Sequence, residues 1–375
     1  MNLCRSLIAV SIVALVAGCG VTSNAPKPAP LPVVQNKASV LIGWHQSLGS
    51  ASGSRLQPAV RGDAVAALSG EKNLVFLDAK SGSERWQVSL PSPAAGGVGL
   101  GDDLVVVGTL KGEILAFGWD GKPRWNAHAS SEVLAPPVVA GSLVLVRGGD
   151  GRLTAYSAAD GAVKWIYTRQ QPALQLRSFA PPVVAGDVVY YGQAGGRLAA
   201  ITLNDGHVLW ESQVALPHGV SEIERIADVV AAPVVQGDLV CAVAYQGRLA
   251  CFNVKNGGLI WSREVSSWSG MAMDSKAVYV TDDKGQVMAY ERSSGRNLWR
   301  QDKLAARVVS GPTVMGRTLV VGDYQGYAHF IDTDDGSFVA QQPTDGGAIV
   351  VAPQLAGERW LIQTQKGGLY LMGLK

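Results

Sequence analysis

The chain has 375 residues, of which 47% are apolar, 17% are charged and 45 are glycine. Its 32 basic residues nearly balance 30 acidic ones, and the formal net charge of +2 gives no electrostatic case for binding nucleic acid. The composition is typical of a turn-rich β protein with a well-buried core.

The first 18 residues have the pattern of an export signal, with Arg5 in a short polar region and an apolar run over residues 7–17. The sequence Val16-Ala-Gly-Cys19 resembles the lipobox of bacterial lipoproteins, in which the cysteine is acylated, for example with palmitate, and becomes the new N-terminus. This resemblance predicts a signal peptide over residues 1–18 and lipidation of Cys19. The alternative is a secreted protein with a chance cysteine at this position.

Residues 19–38 contain prolines at positions 26, 28, 30 and 32 and almost no bulky apolar side chain before Leu31. This composition cannot bury a core, so it predicts an extended tether that holds a soluble domain beside a membrane. Residue 20 is glycine rather than aspartate, which resembles the sorting rule for lipoproteins of the outer membrane. We therefore expect a lipid-anchored protein at the periplasmic face of that membrane.

A short motif, a glycine or its replacement followed by an alternating apolar strand, occurs eight times. Successive copies are 38 to 51 residues apart, and this spacing predicts one four-stranded blade of a β-propeller per copy. The copies begin at Asn73, Gly112, Gly151, Gly196, Gly247, Gly285, Gly326 and Gly368.

A second motif, Gly-x-x-x-Trp, follows the first motif in six copies and predicts the last strand of a blade, with its indole against the next blade. It accounts for six of the ten tryptophans, namely Trp86, Trp125, Trp165, Trp210, Trp261 and Trp299. Gly336 begins a seventh copy in which Ala340 replaces the tryptophan, and this replacement removes packing area from one blade interface.

The two ends of the chain complement each other. The eighth glycine-led strand runs to Lys375 and leaves no room for a tryptophan strand, whereas residues 40–44 end in Trp44 and have no blade before them. We therefore predict that the N-terminal strand pairs with the C-terminal blade and closes the ring. The expected fold is all-β: an eight-bladed β-propeller over residues 39–375, with four antiparallel strands per blade.

Two cysteines remain inside the predicted propeller. Cys241 and Cys251 lie symmetrically about Gln246 in a predicted hairpin, so they are expected opposite each other on neighbouring strands. An oxidising compartment would permit a disulfide between them. The equivalent positions of other repeats hold Leu145 with Ala155, so two small core residues are the alternative.

The combined motif over residues 285–299 resembles the tryptophan docking motif of the pyrroloquinoline-quinone propeller repeat, and this resemblance extends over about nine tenths of the chain. With the lipobox, the tether and eight blades, the chain resembles the BamB family of lipoproteins of the outer-membrane β-barrel assembly machinery. The resemblance implies a non-enzymatic scaffold of the BAM complex, without cofactor, metal or catalytic residues. It also implies binding to the periplasmic domains of BamA and transient contact with unfolded outer-membrane proteins.

Two connections between blades, residues 166–180 and 211–231, are longer than the repeat requires, and partner contacts often concentrate on such loops. Leu174, Leu176 and Arg177 match the leucine and arginine stretch that the family uses against BamA. Asp228 matches an acidic position of the family's binding loop, while Val230 stands at its second acidic position. The alternatives are leucines that pack back onto the ring and a solvated loop carboxylate at Asp228.

Quinoprotein dehydrogenases use the same eight-bladed repeat and are the main alternative. The resemblance to them implies a quinone held over Ca²⁺ and gripped by a disulfide between adjacent cysteines, and this chain has no adjacent cysteines and no oxygen-ligand cluster for calcium. The five histidines are scattered without the spacing of metal ligands. Another periplasmic propeller, for example a sugar-binding one, is the third reading, with Trp119, Trp268 and Trp360 as candidate ligand contacts.

Overall fold

The computed structural model describes residues 26–51 and 53–375; Cys19 and the predicted signal peptide lie outside the described residues. Within these ranges the chain forms 32 strands in eight four-stranded antiparallel sheets, the blades of a propeller. The predicted all-β, eight-bladed fold is therefore confirmed. No helix in the described part of the chain has the length and apolar composition needed to cross a membrane.

Blades 1 to 7 each consist of four consecutive strands, β2 to β29, and blade 8 contains β30, β31, β32 and β1. Strands β1 to β9 are Val40–Ser47, Ala59–Arg61, Ala64–Leu68, Asn73–Asp78, Glu84–Ser89, Ala94–Leu100, Leu104–Thr109, Glu113–Gly118 and Pro123–His128. Strands β10 to β17 are Val138–Ala140, Leu143–Arg147, Leu153–Ser157, Val163–Tyr167, Val183–Ala185, Val188–Gln193, Arg197–Thr202 and Val208–Gln213. Strands β18 to β25 are Val234–Gln236, Leu239–Val243, Leu249–Asn253, Leu259–Arg263, Gly270–Met273, Ala277–Thr281, Val287–Glu291 and Asn297–Gln301. Strands β26 to β32 are Thr313–Met315, Thr318–Gly322, Tyr327–Asp332, Phe338–Pro343, Gln354–Leu355, Trp360–Gln363 and Gly368–Leu374.

The ring closes through the two ends of the chain. Strand β1 pairs antiparallel with β32, with Val40 opposite Leu374 and Ser47 opposite Gly368. The closure predicted from the unmatched terminal strands is therefore confirmed. Because β1 supplies the fourth strand of blade 8, no covalent turn links the third and fourth strands of that blade.

The antiparallel order gives the ring two different faces. One face, the loop face, carries the connections from each fourth strand to the next blade and the turns between second and third strands. The opposite face, the turn face, carries the turns between first and second and between third and fourth strands. Both long connections predicted to be functional, and the connection between β1 and β2, therefore lie on the loop face.

The tryptophans of the second motif join neighbouring blades. Each indole N–H donates a hydrogen bond of 2.7–3.0 Å to a backbone carbonyl in the turn between the third and fourth strands of the next blade. The glycine of a motif copy packs against the tryptophan ring of the preceding copy. A Cβ built on Gly295, for example, would lie 2.5 Å from Trp261. Glycine is required at this position for a second reason as well, because its φ of +68° lies in the left-handed region.

We expect Gly295→Ala to lower the free energy of unfolding by about 3 kcal/mol, since a methyl group adds a clash with Trp261 to the cost of a left-handed backbone. Gly316→Ala is the matched control, because Gly316 has φ +59° and no atom within 4 Å of its added Cβ. The control is expected to cost only about 1 kcal/mol. Urea unfolding of both variants measures the difference, and equal losses would contradict the docking role of the tryptophan.

The missing tryptophan at Ala340 has a structural reason. The fourth strand of blade 7 faces blade 8, where the ends of β32 and β1 replace the turn that would receive an indole. Ala340 is instead fully buried in a cluster with Met372, beside the partly buried Val40 and Leu374. The ends of β1 and β32 fill the space that an indole would occupy, so the alanine at position 340 follows from how the ring closes.

Cys241 and Cys251 lie opposite each other on β19 and β20, with their Cα atoms 4.0 Å apart, and form a disulfide. Both residues are also fully buried in the core between blades 5 and 6. The sequence allowed either a disulfide or two small core residues, and the structure has a disulfide between two buried core cysteines.

Candidate partner-binding site

The two long connections lie beside each other on the loop face. Residues 168–182 join β13 to β14, and residues 214–233 join β17 to β18. Neither connection contains a strand or a helix, so side-chain contacts rather than a backbone ladder determine its shape. The contact that links them is made by Asp228.

Asp228 is only 2% exposed, although it belongs to a surface loop. Its Oδ2 accepts a hydrogen bond of 2.7 Å from the Leu176 backbone N–H, and its Oδ1 accepts one of 2.8 Å from Gly195 N–H. Burial raises the pKa of the Asp228 carboxyl, and these two hydrogen bonds oppose that rise. The alternative of a solvated loop carboxylate is therefore wrong, and Asp228 fixes the first loop at Leu176.

The three residues predicted on the first loop lie together at its surface. Leu174 is 43% exposed, and Leu176 is half-buried directly beside the loop's attachment to Asp228. The Arg177 side chain is 74% exposed, and its guanidinium lies 3.7 Å from Glu132 Oε1. An exposed pair of that kind stabilises little, so the Arg177 charge remains available to a partner carboxylate. Leu174 does not pack back into the core.

A cavity of about 370 Å³ adjoins these residues, and one of its two arginines, Arg55, was not predicted from the sequence. Its lining residues are Arg55, Leu176, Arg177, Phe179, Val230, Tyr245 and Trp268. The Arg55 guanidinium carbon lies 4.7 Å from the centre of the Trp268 ring and 5.4 Å from that of Phe179. Burial lowers the pKa of Arg55, and no carboxylate of the described residues pairs with it. The cavity therefore offers aromatic and apolar walls with two arginines, a surface suited to an acidic, apolar protein segment.

Two of the three unassigned tryptophans are structural. The Trp119 indole N–H donates to the Gly101 carbonyl at 3.0 Å, and Trp360 is 2% exposed. The third, Trp268, lines the cavity described above. The sequence indicated Trp268 because no repeat motif accounts for it, whereas no sequence pattern indicated Arg55.

The two glutamates of the second loop make contacts within that loop. Glu222 pairs with Arg225 at 3.2 Å, and Glu224 accepts hydrogen bonds from the backbone N–H groups of Val220 and Ser221. Among residues 26–51 and 53–375, no group of three or more histidine, cysteine, aspartate or glutamate side chains is placed to hold a metal ion.

Comparisons with known proteins agree with the fold. The family model "Outer membrane protein assembly factor BamB" matches residues 41–97, 71–301 and 289–373. The protein of that name from Burkholderia pseudomallei strain K96243 is 40% identical over 376 aligned residues, covering 99% of each chain.

Solved structures of a BamB protein and of a dehydrogenase are similar to this chain to different degrees. The crystal structure of BamB from Moraxella catarrhalis superposes with a TM-score of 0.83 at 27% identity, covering 89% of this chain and all of that one. A europium-containing methanol dehydrogenase shares the fold alone, with a TM-score of 0.72 at 14% identity over 89% of this chain and 93% of that one. The chain belongs to the BamB family of outer membrane protein assembly factors.

Proposed function

We propose that this protein is a non-enzymatic, lipid-anchored scaffold of the BAM complex that binds the periplasmic domains of BamA and assists insertion of β-barrel proteins into the outer membrane. The observation that carries the proposal is the cluster of Leu174, Leu176 and Arg177 at the surface of the loop face. These side chains combine exposed apolar area with an available positive charge, the combination found at the centre of protein interfaces. The ring behind them supplies rigidity.

Arg55 and Asp228 complete the proposed interface in two different ways. Arg55 contacts the partner through the cavity and pairs there with a carboxylate, since none of the described residues provides one. Asp228 is a positioning residue, because its hydrogen bond to Leu176 sets the shape of the first loop.

The membrane attachment belongs to the same proposal. Lipidation at Cys19 after removal of residues 1–18, with residues 19–38 as tether, would hold the ring at the periplasmic face of the outer membrane. Unfolded outer-membrane proteins are the transient substrates. The family membership and the lipobox sequence support this placement.

Co-purification tests the proposal. The affinity-tagged full chain, extracted in detergent from native envelopes, is expected to recover BamA, and Cys19→Ala is expected to move the folded ring into the soluble periplasmic fraction. Full membrane retention of Cys19→Ala would contradict lipidation. Recovery without BamA, together with quinone absorbance and bound calcium, would favour the dehydrogenase alternative instead.

A further inference from the structure

The described part of the proline-rich segment, residues 26–38, contacts the propeller at two separate places; we call it the N-terminal arm. Near its start, Ala29 N–H donates to the Ala305 carbonyl at 2.9 Å, and the Ala29 carbonyl accepts a 3.0 Å hydrogen bond from Arg307. Near its end, Lys37 N–H donates to the Val339 carbonyl at 2.7 Å. The arm is therefore held by blade 7 before β1 begins.

Arg307 makes the first contact strong. The residue is only 2% exposed, and its guanidinium binds Asp323 Oδ2 through Nε at 2.9 Å and through Nη2 at 2.7 Å. Its Nη2 also donates to Gln325 Oε1, and its Nη1 donates to the Ala29 carbonyl, so the arm supplies the acceptor for a third nitrogen of this buried guanidinium. Ala306 and Val308, on either side, have φ of +56° and +50°. A β-branched residue in that region is strained, which marks a loop whose shape is set by what it binds.

The second contact covers the edge of blade 7. Asn36 Oδ1 accepts a 3.0 Å hydrogen bond from Gln341 N–H, and Asn36 Nδ2 donates to the Gln341 carbonyl at 3.4 Å. With the Lys37 hydrogen bond, these contacts follow β29 antiparallel along its outer edge. This is the blade whose fourth strand has Ala340 in place of tryptophan.

The arm begins on one face of the ring and ends on the other. Arg307 belongs to the connection between β25 and β26, and Asp323 to the turn between β27 and β28, so Ala29 lies on the loop face. Strand β1 begins at Val40 on the turn face, opposite Leu374. The arm therefore crosses the rim of blade 7 from one face to the other.

This crossing decides where the preceding chain leaves the ring. Without the two contacts, everything before Val40 would leave from the turn face. With them, it leaves from the loop face, next to the connection between blades 6 and 7. Ten residues separate Ala29 from Cys19, so even a fully extended chain spans only about 35 Å between them.

We propose that the docked N-terminal arm turns the loop face, with its partner-binding residues, toward the membrane that holds the anchor before any partner is bound. The orientation rests on the proposed lipidation of Cys19, whereas the docking of the arm does not. The tether region thus has two functional parts. The acylated Cys19 determines the compartment, and the docked arm determines which face of the ring is turned toward the membrane.

Docking is tested without lipid in the full chain carrying Cys4→Ser and Cys19→Ser, which has no thiol outside the buried disulfide. In this background Ala29→Cys with Ala305→Cys is expected to be bridged in most molecules by a short bifunctional thiol reagent. Val33→Cys with Ala305→Cys is the control, because Val33 is 99% exposed, and little bridging is expected. Equal bridging of the two pairs would overturn docking.

Orientation is tested with the protein purified from native envelopes, with Cys19 unaltered, on vesicles that carry a headgroup quencher. A fluorophore at Lys111→Cys on the loop face is expected to be quenched at least twofold more than one at Lys122→Cys, an exposed position on the turn face of the same blade. Replacing residues 28–34 by glycine and serine should bring the ratio to about one. Equal quenching in the unaltered chain, or an unchanged ratio after the replacement, would overturn the orientation.

The two experiments separate the two proposals. If neither fluorophore is quenched, the anchor at Cys19 is refuted and the orientation falls with it. The thiol bridging still decides whether the arm is docked.

Discussion

Replacing Leu174, Leu176 and Arg177 together by alanine is expected to weaken binding of the BamA periplasmic domains at least 100-fold. Truncating a hot-spot residue of an interface costs about 2 kcal/mol or more, and a 100-fold loss corresponds to about 2.8 kcal/mol. Because Leu174 and Arg177 are exposed, the thermal unfolding midpoint should change by less than about 2 °C. Titration calorimetry and thermal unfolding of the same preparation measure both quantities.

The control removes similar side chains from a different surface. Leu259 and Ile260 are exposed on β21 at the rim of blade 5, and Arg296 is exposed in the β24–β25 turn. Their triple replacement by alanine should leave partner affinity unchanged. An equal loss of affinity in the control, or a large fall in stability of the first variant alone, would show that the first loop is not the binding surface.

Asp228→Asn is expected to lower the free energy of unfolding by about 2 kcal/mol and partner affinity about tenfold. The carboxylate accepts the Leu176 and Gly195 N–H groups on different oxygens. An asparagine has one acceptor oxygen, so its amide group would face one of these donors and leave it unpaired inside the protein. Urea unfolding and the same binding titration measure the two effects.

The matched control for Asp228 is Asp187→Asn, which makes the same chemical change at an exposed turn and should alter neither quantity. A positioning role also predicts faster hydrogen exchange at the Leu176 amide. In the Leu176→Ala background, Asp228→Asn should cost less affinity than it does alone, because the two residues act through one loop. Additive losses would instead indicate that Asp228 contacts the partner itself.

The features that the sequence predicted well are local and repeated. The glycine-led strands and the Gly-x-x-x-Trp copies each describe one hairpin, and eight copies leave little choice of architecture. The unmatched strand ending in Trp44 and the unmatched strand from Gly368 then determine how the ring closes. Leu174 and Arg177 were singled out because their loop interrupts the repeat and resembles the family's leucine and arginine stretch, and their contact with a partner stays a prediction.

The features that it missed depend on distant residues. The sequence indicated Asp228 as a binding-loop carboxylate but not that it is buried and accepts hydrogen bonds from Leu176 and Gly195. Arg55 becomes notable only when the loop face brings Trp268 to it. No motif indicates that Ala29 would reach Arg307, because a proline-rich composition gives no sign of which surface it contacts.

The closure of blade 8 has a consequence for the order of events during folding. Each of blades 1 to 7 consists of four consecutive strands, whereas β1 pairs among the described strands only with β32, at the far end of the propeller sequence. Because such a non-local pair forms more slowly than a hairpin, β1 stays unpaired for an interval after the hairpins of the other blades have formed. During that interval a strand with exposed Leu41 and Ile42 has both edges unpaired, a recognised route to aggregation. Deleting β32 would make this transient state permanent, because no other described strand pairs with β1, so closure of the whole ring depends on this one strand pair.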